Sequence, residues 1–250
     1  MKIGVFDSGI GGITVLGELR RSFPSVEYVY LGDTAHVPYG TRSAAQIRQL
    51  SADCARVLKS TGIDALVVAC NTSSSLALDA ICDVMGEVPV FDVVGPGVEA
   101  AKAARRKCGG SRATVLVLAT RATIRSHAYG KALGANVIEQ ECPLLVPMIE
   151  EGWLDHPVLH RTIKEYVGAY ARAGRPGVAL LACTHYPWIH AAFERALPGW
   201  MIVNSAQAVA RSLARSGIAR KLRVRGKSRA GRVQWIFTDP DAVPAMARDG

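Results

Sequence analysis

Two cysteines in the 250-residue chain stand in matched settings. Asp64–Ser75 reads DALVVACNTSSS and Gly177–Pro187 reads GVALLACTHYP, so Cys70 and Cys183, 113 positions apart, each end an apolar run and precede polar residues. Such a run fits a strand buried on both faces, with a helix-type pattern able to start after it. In an open α/β sheet the carboxyl end of a strand faces the ligand crevice, and the following helix would turn its positive N-terminus on a thiolate. Two thiols placed on opposite sides of one tetrahedral carbon could take its proton from one face and return one to the other, which inverts the centre. One must be thiolate while the other is thiol, and a soft thiolate with a lowered pKa suits the task. Asn71 and Thr72 beside one thiol, and Thr184 and His185 beside the other, could hold an amino acid's charged groups. Asp7 and His185 are placed to tune or relay the proton.

The elements that must carry these groups follow from the patterning. Lys2–Phe6 reads as a strand, Asp7–Gly12 as a glycine turn able to offer backbone N–H groups to an anion, and Ile13–Arg21 as a helix. That turn fails the dinucleotide fingerprint, since Thr14 stands where a third glycine is required, and it lacks the Lys of a P-loop. Further strands are expected at Val26–Leu31, 62–70 and Val88–Val94. A helix is expected over Ser43–Ser60 with Ile47, Leu50, Cys54, Val57 and Leu58 inward, and another after Asn71 with Leu76, Ala77, Ala80 and Ile81 inward and Cys82 packed there. Gly95-Pro96-Gly97 marks a boundary. The pattern then restarts with a strand at Ala113–Ala119, a polar turn at Thr120–Thr123 and a helix at Ile124–Leu133. A strand at Asn136–Glu141, a helix carrying Glu150 and Glu151, a helix at Val158–Ala173 and the second cysteine strand follow. Asp7 precedes Cys70 by 63 residues and Thr120 precedes Cys183 by 63, which argues for an internal duplication. The expectation is an α/β fold of two similar doubly wound parallel-sheet domains facing each other across a cleft. Residues 1–94 plus 205–250 would carry Cys70, and 95–204 would carry Cys183.

Composition narrows the classes. With 49% hydrophobic and 20% charged residues the chain can bury a full core without staples. No stretch reaches the roughly 18 apolar residues of a membrane span, and the N-terminus lacks a signal-peptide pattern, so a cytoplasmic protein without membrane contact is expected. Six scattered cysteines show no metal-ligand spacing, and Cys54, Cys82, Cys108 and Cys142 are expected to pack as small hydrophobes. Of the net charge of +9, seven positive residues and no acid fall within 220–232, leaving +2 for the rest. The basicity is local, so general nucleic-acid binding is not expected. That segment reads as a solvated hairpin of Lys221–Arg225 and Arg232–Thr238.

FDSGIGG at 6–12, GDTAHVPYG at 32–40, ACNTS at 69–73, ATRAT at 119–123, ECPLLVPMIEEG at 141–152 and ACTHYP at 182–187 occur in order over most of the chain. Together they resemble the successive signatures of the glutamate racemases, in the aspartate/glutamate racemase superfamily. The resemblance implies an isomerase that needs no cofactor and binds no metal, interconverting L- and D-glutamate for peptidoglycan. By the family pattern Cys70 would deprotonate D-glutamate and Cys183 L-glutamate. Asp7, Ser8, Pro38, Tyr39, Gly40, Asn71, Thr72, Thr184 and His185 would contact substrate or assist. Glu150 would support the second thiol, and Thr120 and Thr123 would face the substrate. The partners expected are the small-molecule substrate glutamate and a second copy in a homodimer.

Some positions depart from the family pattern. Ala119 and Ala182 stand where glycine is common, Asn204 where Asp is common, and residues 94–97 differ by one from the usual motif. The chain begins at its first strand, without the extension of members that need a cell-wall precursor as activator, so no activator is expected. A racemase for aspartate is the enzymatic alternative. A secondary DNA- or gyrase-binding role through 220–232 is the alternative of another class. A cysteine hydrolase using Cys183 and His185 is disfavoured, because neighbours at a strand end are expected to point apart and Cys70 would be left idle.

Overall fold

Short apolar runs that bury both faces become parallel strands, and amphipathic stretches between them become the covering helices. Residues 1–218 and 230–243 are described by a computed structural model. The first series is β1 (Lys2–Asp7), α1 (Ile13–Ser22), β2 (Glu27–Gly32), α2 (Ala44–Ser60), β3 (Ala65–Val68), α3 (Asn71–Leu76), α4 (Leu78–Met85) and β4 (Val90–Phe91). α5 (Val94–Lys107) leads into β5 (Val115–Ala119), α6 (Arg121–Ser126), α7 (Ala128–Leu133), β6 (Val137–Glu141), α8 (Leu145–Glu150), α9 (Pro157–Arg172), β7 (Val178–Ala182), α10 (His190–Ala196) and β8 (Met201–Asn204). α11 (Ser205–Arg215) and β9 (Val233–Phe237) follow.

The strands form two parallel sheets, ordered β4-β3-β1-β2-β9 and β6-β5-β7-β8. Apart from β9, the first sheet read from its other edge is β2-β1-β3-β4, which is the order of the second. The internal repeat is therefore topological. The registers differ by one residue, however. Phe6 pairs with Val68, 62 positions on, whereas Ala119 pairs with Ala182, 63 positions on.

Alternation along each strand divides the apolar side chains between two faces. Ile3, Val5, Tyr28 and Tyr30 pack under α1 and α11 with Val15, Leu19, Val209 and Leu213. Phe6, Val29, Leu31 and Val68 pack under α2 and α4 with Ile47, Leu58 and Ile81. In the second sheet Leu116, Leu118 and Leu181 meet Ile149, Ile163 and Val167, while Val117 and Leu180 meet Val98, Ala101 and Tyr129. At about 1.5–3 kcal/mol for each large apolar side chain taken from water, these four layers hold the strand ends still.

Several elements differ from their sequence patterns. The helix after Cys70 breaks at Ala77 into α3 and α4, and the one after Thr123 breaks at His127, whose φ is 54°. Thr120–Thr123 is the start of α6 instead of a free turn, and Gly95-Pro96-Gly97 lies inside the first turn of α5. Proline fits there because first-turn N–H groups have no helical partner. Val57 and Cys82 are exposed, and Cys108 is half-buried, so these three do not fill the core; Cys54 and Cys142 do. β9 pairs in parallel with β2, while the expected hairpin partner Lys221–Arg225 and most of the basic 220–232 segment lie outside the described residues. Among the described residues no helix is long and apolar enough to cross a membrane.

Close backbone approach at the base of β7 gives a direct test. A Cβ on Gly177 would sit 2.2 Å from the Thr114 carbonyl oxygen beside β5. Gly177→Ala is expected to cost about 1–3 kcal/mol by forcing these strands apart. At about 2–4 °C per kcal/mol for a chain this size, calorimetry should show Tm lower by several degrees.

Candidate active site

Asp7, Cys70, Cys183 and His185 sit at or just past carboxyl strand ends, where the ladder stops and side chains take over, while Glu150 reaches them from the end of α8. Asp7 ends β1 and is fully buried. Its carboxylate accepts the Gly9 N–H at 3.1 Å and the Thr184 hydroxyl, from the other half, at 3.2 Å. Burial raises its pKa, opposed by the charge of His185 and by hydrogen bonds from the Gly9 and Gly12 backbone and Thr184.

Cys70 follows β3 and caps α3, its sulfur accepting the Ser73 N–H at 3.5 Å. The thiol donates to Ser8 Oγ at 3.5 Å. Burial and the neighbouring Asp7 charge push its pKa up to about 11, against its hydrogen bonds with Ser73 and Ser8. The helix N-terminus is present as expected, yet at this thiol burial outweighs it.

The second thiol is held differently. Cys183 follows β7 directly, but a turn and the 3-10 segment Tyr186–Ile189 come before α10 begins, so no α-helix N-terminus meets it. Instead the chain bends at Thr184 and brings His185 Nδ1 to 3.9 Å from Cys183 Sγ, so the two do not point apart. His185 Nε2 lies 2.9 Å from Glu150 Oε1 at the end of α8. Burial works to depress the His185 pKa, but its contacts with Cys183 and Glu150, and their charges, prevail and lift it to about 10. The space around the ring is reserved by Gly11, where a Cβ would fall 2.4 Å from His185 Nδ1.

One narrow pocket between the halves is lined by both thiols together with Ser8, Pro38, Tyr39 and Gly40. Asn71, Thr72, Thr120, Thr184 and His185 complete the expected lining, while Asp7, Thr123 and Glu150 stand behind the wall. Thr72, Thr120 and Thr123 form a ring of hydroxyls at 3.0–3.1 Å that joins the halves. Asn71 is committed on both sides: Oδ1 accepts from Tyr129 at 2.6 Å, and Nδ2 donates to Ser205 at 3.3 Å. Its amide is therefore largely a strut. Tyr39 donates to buried Asp33 at 2.6 Å, and Thr238 beyond β9 donates to the same carboxylate at 2.7 Å.

The residue patterns do not single out Tyr129, Ser205, Thr14, whose hydroxyl donates to the Thr184 carbonyl at 2.8 Å, or Arg121 and Pro147 in the lining. Arg121 and Pro147 fall inside the quoted ATRAT and ECPLLVPMIEEG stretches, and that was their one signal; Tyr129 and Ser205 had none. Among the described residues no group of three His, Cys, Asp or Glu side chains could hold a metal ion.

Paired parallel sheets meeting at a pocket walled by both sets of strand ends define a two-lobed α/β enzyme. The model of the Asp/Glu/Hydantoin racemase family matches residues 14–213. A glutamate racemase of Koribacter versatilis is 45% identical over 224 residues, covering 87% of this chain and 75% of that protein. The structure of glutamate racemase from Thermus thermophilus in complex with beta-chloro-D-alanine superposes with a TM-score of 0.86 at 39% identity, over 99% of this chain and 91% of that one. That of Francisella tularensis in complex with D-glutamate gives 0.87 at 31% identity, over 99% and 92%. The chain belongs to the Asp/Glu/Hydantoin racemase family, and it is an isomerase of the amino-acid racemase class.

The raised His185 pKa makes stability depend on pH with a definite sign. Because the folded protein holds this proton more tightly than the unfolded chain, the contribution is complete below the ordinary value of 6.5 and is lost as pH rises toward about 10. Urea midpoints of the wild type should fall over that window, and the gap to His185→Asn should narrow with them. A gap that widens with pH would contradict a protonated imidazole.

Proposed function

We propose that the protein interconverts L- and D-glutamate for peptidoglycan synthesis, in the cytoplasm and without a cofactor, by a two-base mechanism. The observation that carries this is a single pocket lined by two thiols, each just past the end of an equivalent strand. The substrate assignment is supported by relatives named glutamate racemase and by the D-glutamate complex of the Francisella protein.

With L-glutamate, the Cys183 thiolate takes the α-proton and the C–H electron pair moves onto Cα and into the α-carboxylate. Cys70 then gives its thiol proton to the opposite face, leaving a Cys70 thiolate, a Cys183 thiol and D-glutamate. The reverse direction exchanges the roles. A resting Cys70 with its pKa near 11 is suited to be the donor, and a protonated His185 beside Cys183 suits the form in which that sulfur is the base. Asp7, His185 and Glu150 support the proton transfers. Ser8, Pro38, Tyr39, Gly40, Asn71, Thr72, Thr120, Thr123 and Thr184 shape the substrate site. The two lobes are taken as 1–94 with 205–250, and 95–204, and the assembly as a homodimer.

Purified protein free of pyridoxal phosphate should exchange the Cα hydrogen of both glutamate enantiomers with solvent deuterium, run beside aspartate. Cys70→Ser and Cys183→Ser should each lower racemisation by at least about a thousandfold. Full activity in Cys70→Ser would leave Cys183, His185 and Glu150 acting alone, as in a hydrolase, and end the two-base reading. Exchange on aspartate only would move the substrate assignment.

A further inference from the structure

Arg121 is the pocket-lining group that the proposed mechanism leaves without a task. Among the described residues no carboxylate lines the pocket, and apart from His185 its one basic side chain is Arg121. It is the first residue of α6, directly after Thr120. Its side chain is 43% exposed, which places its charge at the rim. Nε donates to Glu141 Oε2 at 3.1 Å, and Arg125 Nε donates to the other oxygen of the same carboxylate at 3.3 Å. One acid shared by two guanidiniums leaves this part of the rim with a net positive charge. The terminal nitrogens of Arg121 donate to no protein group among the described residues.

We propose that Arg121 is a recruiting and specificity-determining residue that draws an acidic amino acid into the pocket by its distal carboxylate. This rests on the acidic-substrate reading above. A cation anchored through Nε by Glu141, with its remaining donors unspent, can meet a carboxylate in a planar, two-point geometry. Because the site is partly in water, the effect is long-range and salt-sensitive, and it acts on substrate capture before proton transfer begins. An amino acid with a neutral side chain gains nothing from it.

The test compares Arg121→Gln and Arg121→Lys with the wild type and two controls, Arg125→Gln and Glu141→Gln, in steady-state glutamate racemisation followed by circular dichroism across a salt series. Arg121→Gln should raise KM about three- to tenfold, change kcat by less than twofold and flatten the salt dependence of kcat/KM. Arg121→Lys should recover most of that dependence, and Arg125→Gln, which removes rim charge but no pocket-lining donor, should flatten the salt dependence in part while KM stays within twofold of wild type. Glu141→Gln frees the cation, so KM should be no higher and the salt dependence steeper. Independently of turnover, titration calorimetry with glutarate, a dianion without an α-centre, should give a Kd three- to tenfold weaker for Arg121→Gln. Equal glutarate Kd values in wild type and Arg121→Gln, or no glutarate binding, would overturn the assignment whether or not glutamate is racemised. So would a Glu141→Gln variant that raises KM as Arg121→Gln does, since the pair would then act only as structure. A wild type that exchanges neither glutamate nor aspartate, yet binds glutarate through Arg121, sinks the proposed function alone.

Discussion

Asp7 cannot reach water, and that constraint ties the two halves into one site. A carboxylate removed from solvent must be hydrogen-bonded or neutralised, and one of its donors here is Thr184, from the opposite lobe. Thr184 in turn offers its carbonyl to Thr14 on α1. The turn bearing Cys183 is thereby fastened to the first sheet, although its own strand belongs to the second. Asn71 repeats the arrangement in the other direction through Tyr129 of the second lobe, while Ser205 holds the other end of its amide. Polar satisfaction across the seam therefore sets the distance between the pocket walls. Apolar packing crosses the seam more sparsely, as where Ala122 of α6 joins the first-lobe cluster around Tyr39.

The lobes share a strand order but hold their thiols by different means. Cys70 has a helix N-terminus, two hydroxyl-rich neighbours and an acid beneath it; Cys183 has an imidazole bound to a carboxylate and no helix start. The one-residue difference in register fits this divergence. In the first sheet the residue level with Asp7 is one short of the thiol, whereas in the second Thr120 stands level with Cys183. Burial and the Asp7 charge hold the Cys70 thiol protonated, while the other sulfur has a protonated imidazole beside it, so the two thiols sit in unlike electrostatic surroundings.

What could be read from the residues, and what could not, divides along local and non-local lines. Strands such as Val178–Ala182 and Val115–Ala119 are continuous apolar runs, and their positions follow from hydrophobicity alone. Cys70 and Cys183 were legible because the break from apolar to polar residues is itself local. Tyr129 was not, since an aromatic at helical spacing looks like core, and only the fold places its hydroxyl on Asn71. The contact between Cys183 and His185 is non-local for a related reason. Strand geometry, which would point these neighbours apart, stops at Ala182, and the chain turns at Thr184 because Asp7 and Thr14 hold that residue. Val57 and Cys82 show the remaining weakness: a helical stripe gives the buried face, but not how far the neighbouring layer reaches over it.

Breaks in the helices carry a similar lesson about where geometry is needed. α3 and α6 are each a single short segment after a strand end, capped by Cys70 and Thr120, and each stops after six residues. A longer straight helix would carry its axis on past the seam. Stopping at Ala77 and at His127 lets the chain turn back over its own sheet while the first helical turn stays at the pocket. That first turn is what brings Thr72 and Thr123 within 3.1 Å of each other from opposite lobes. The left-handed backbone at His127, costly for a residue with a side chain, is held there by the pairing of Nδ1 with Glu139 at 2.7 Å. That hydrogen bond, at the edge of the second lobe and well outside the pocket, helps fix where α6 ends and so the wall it forms.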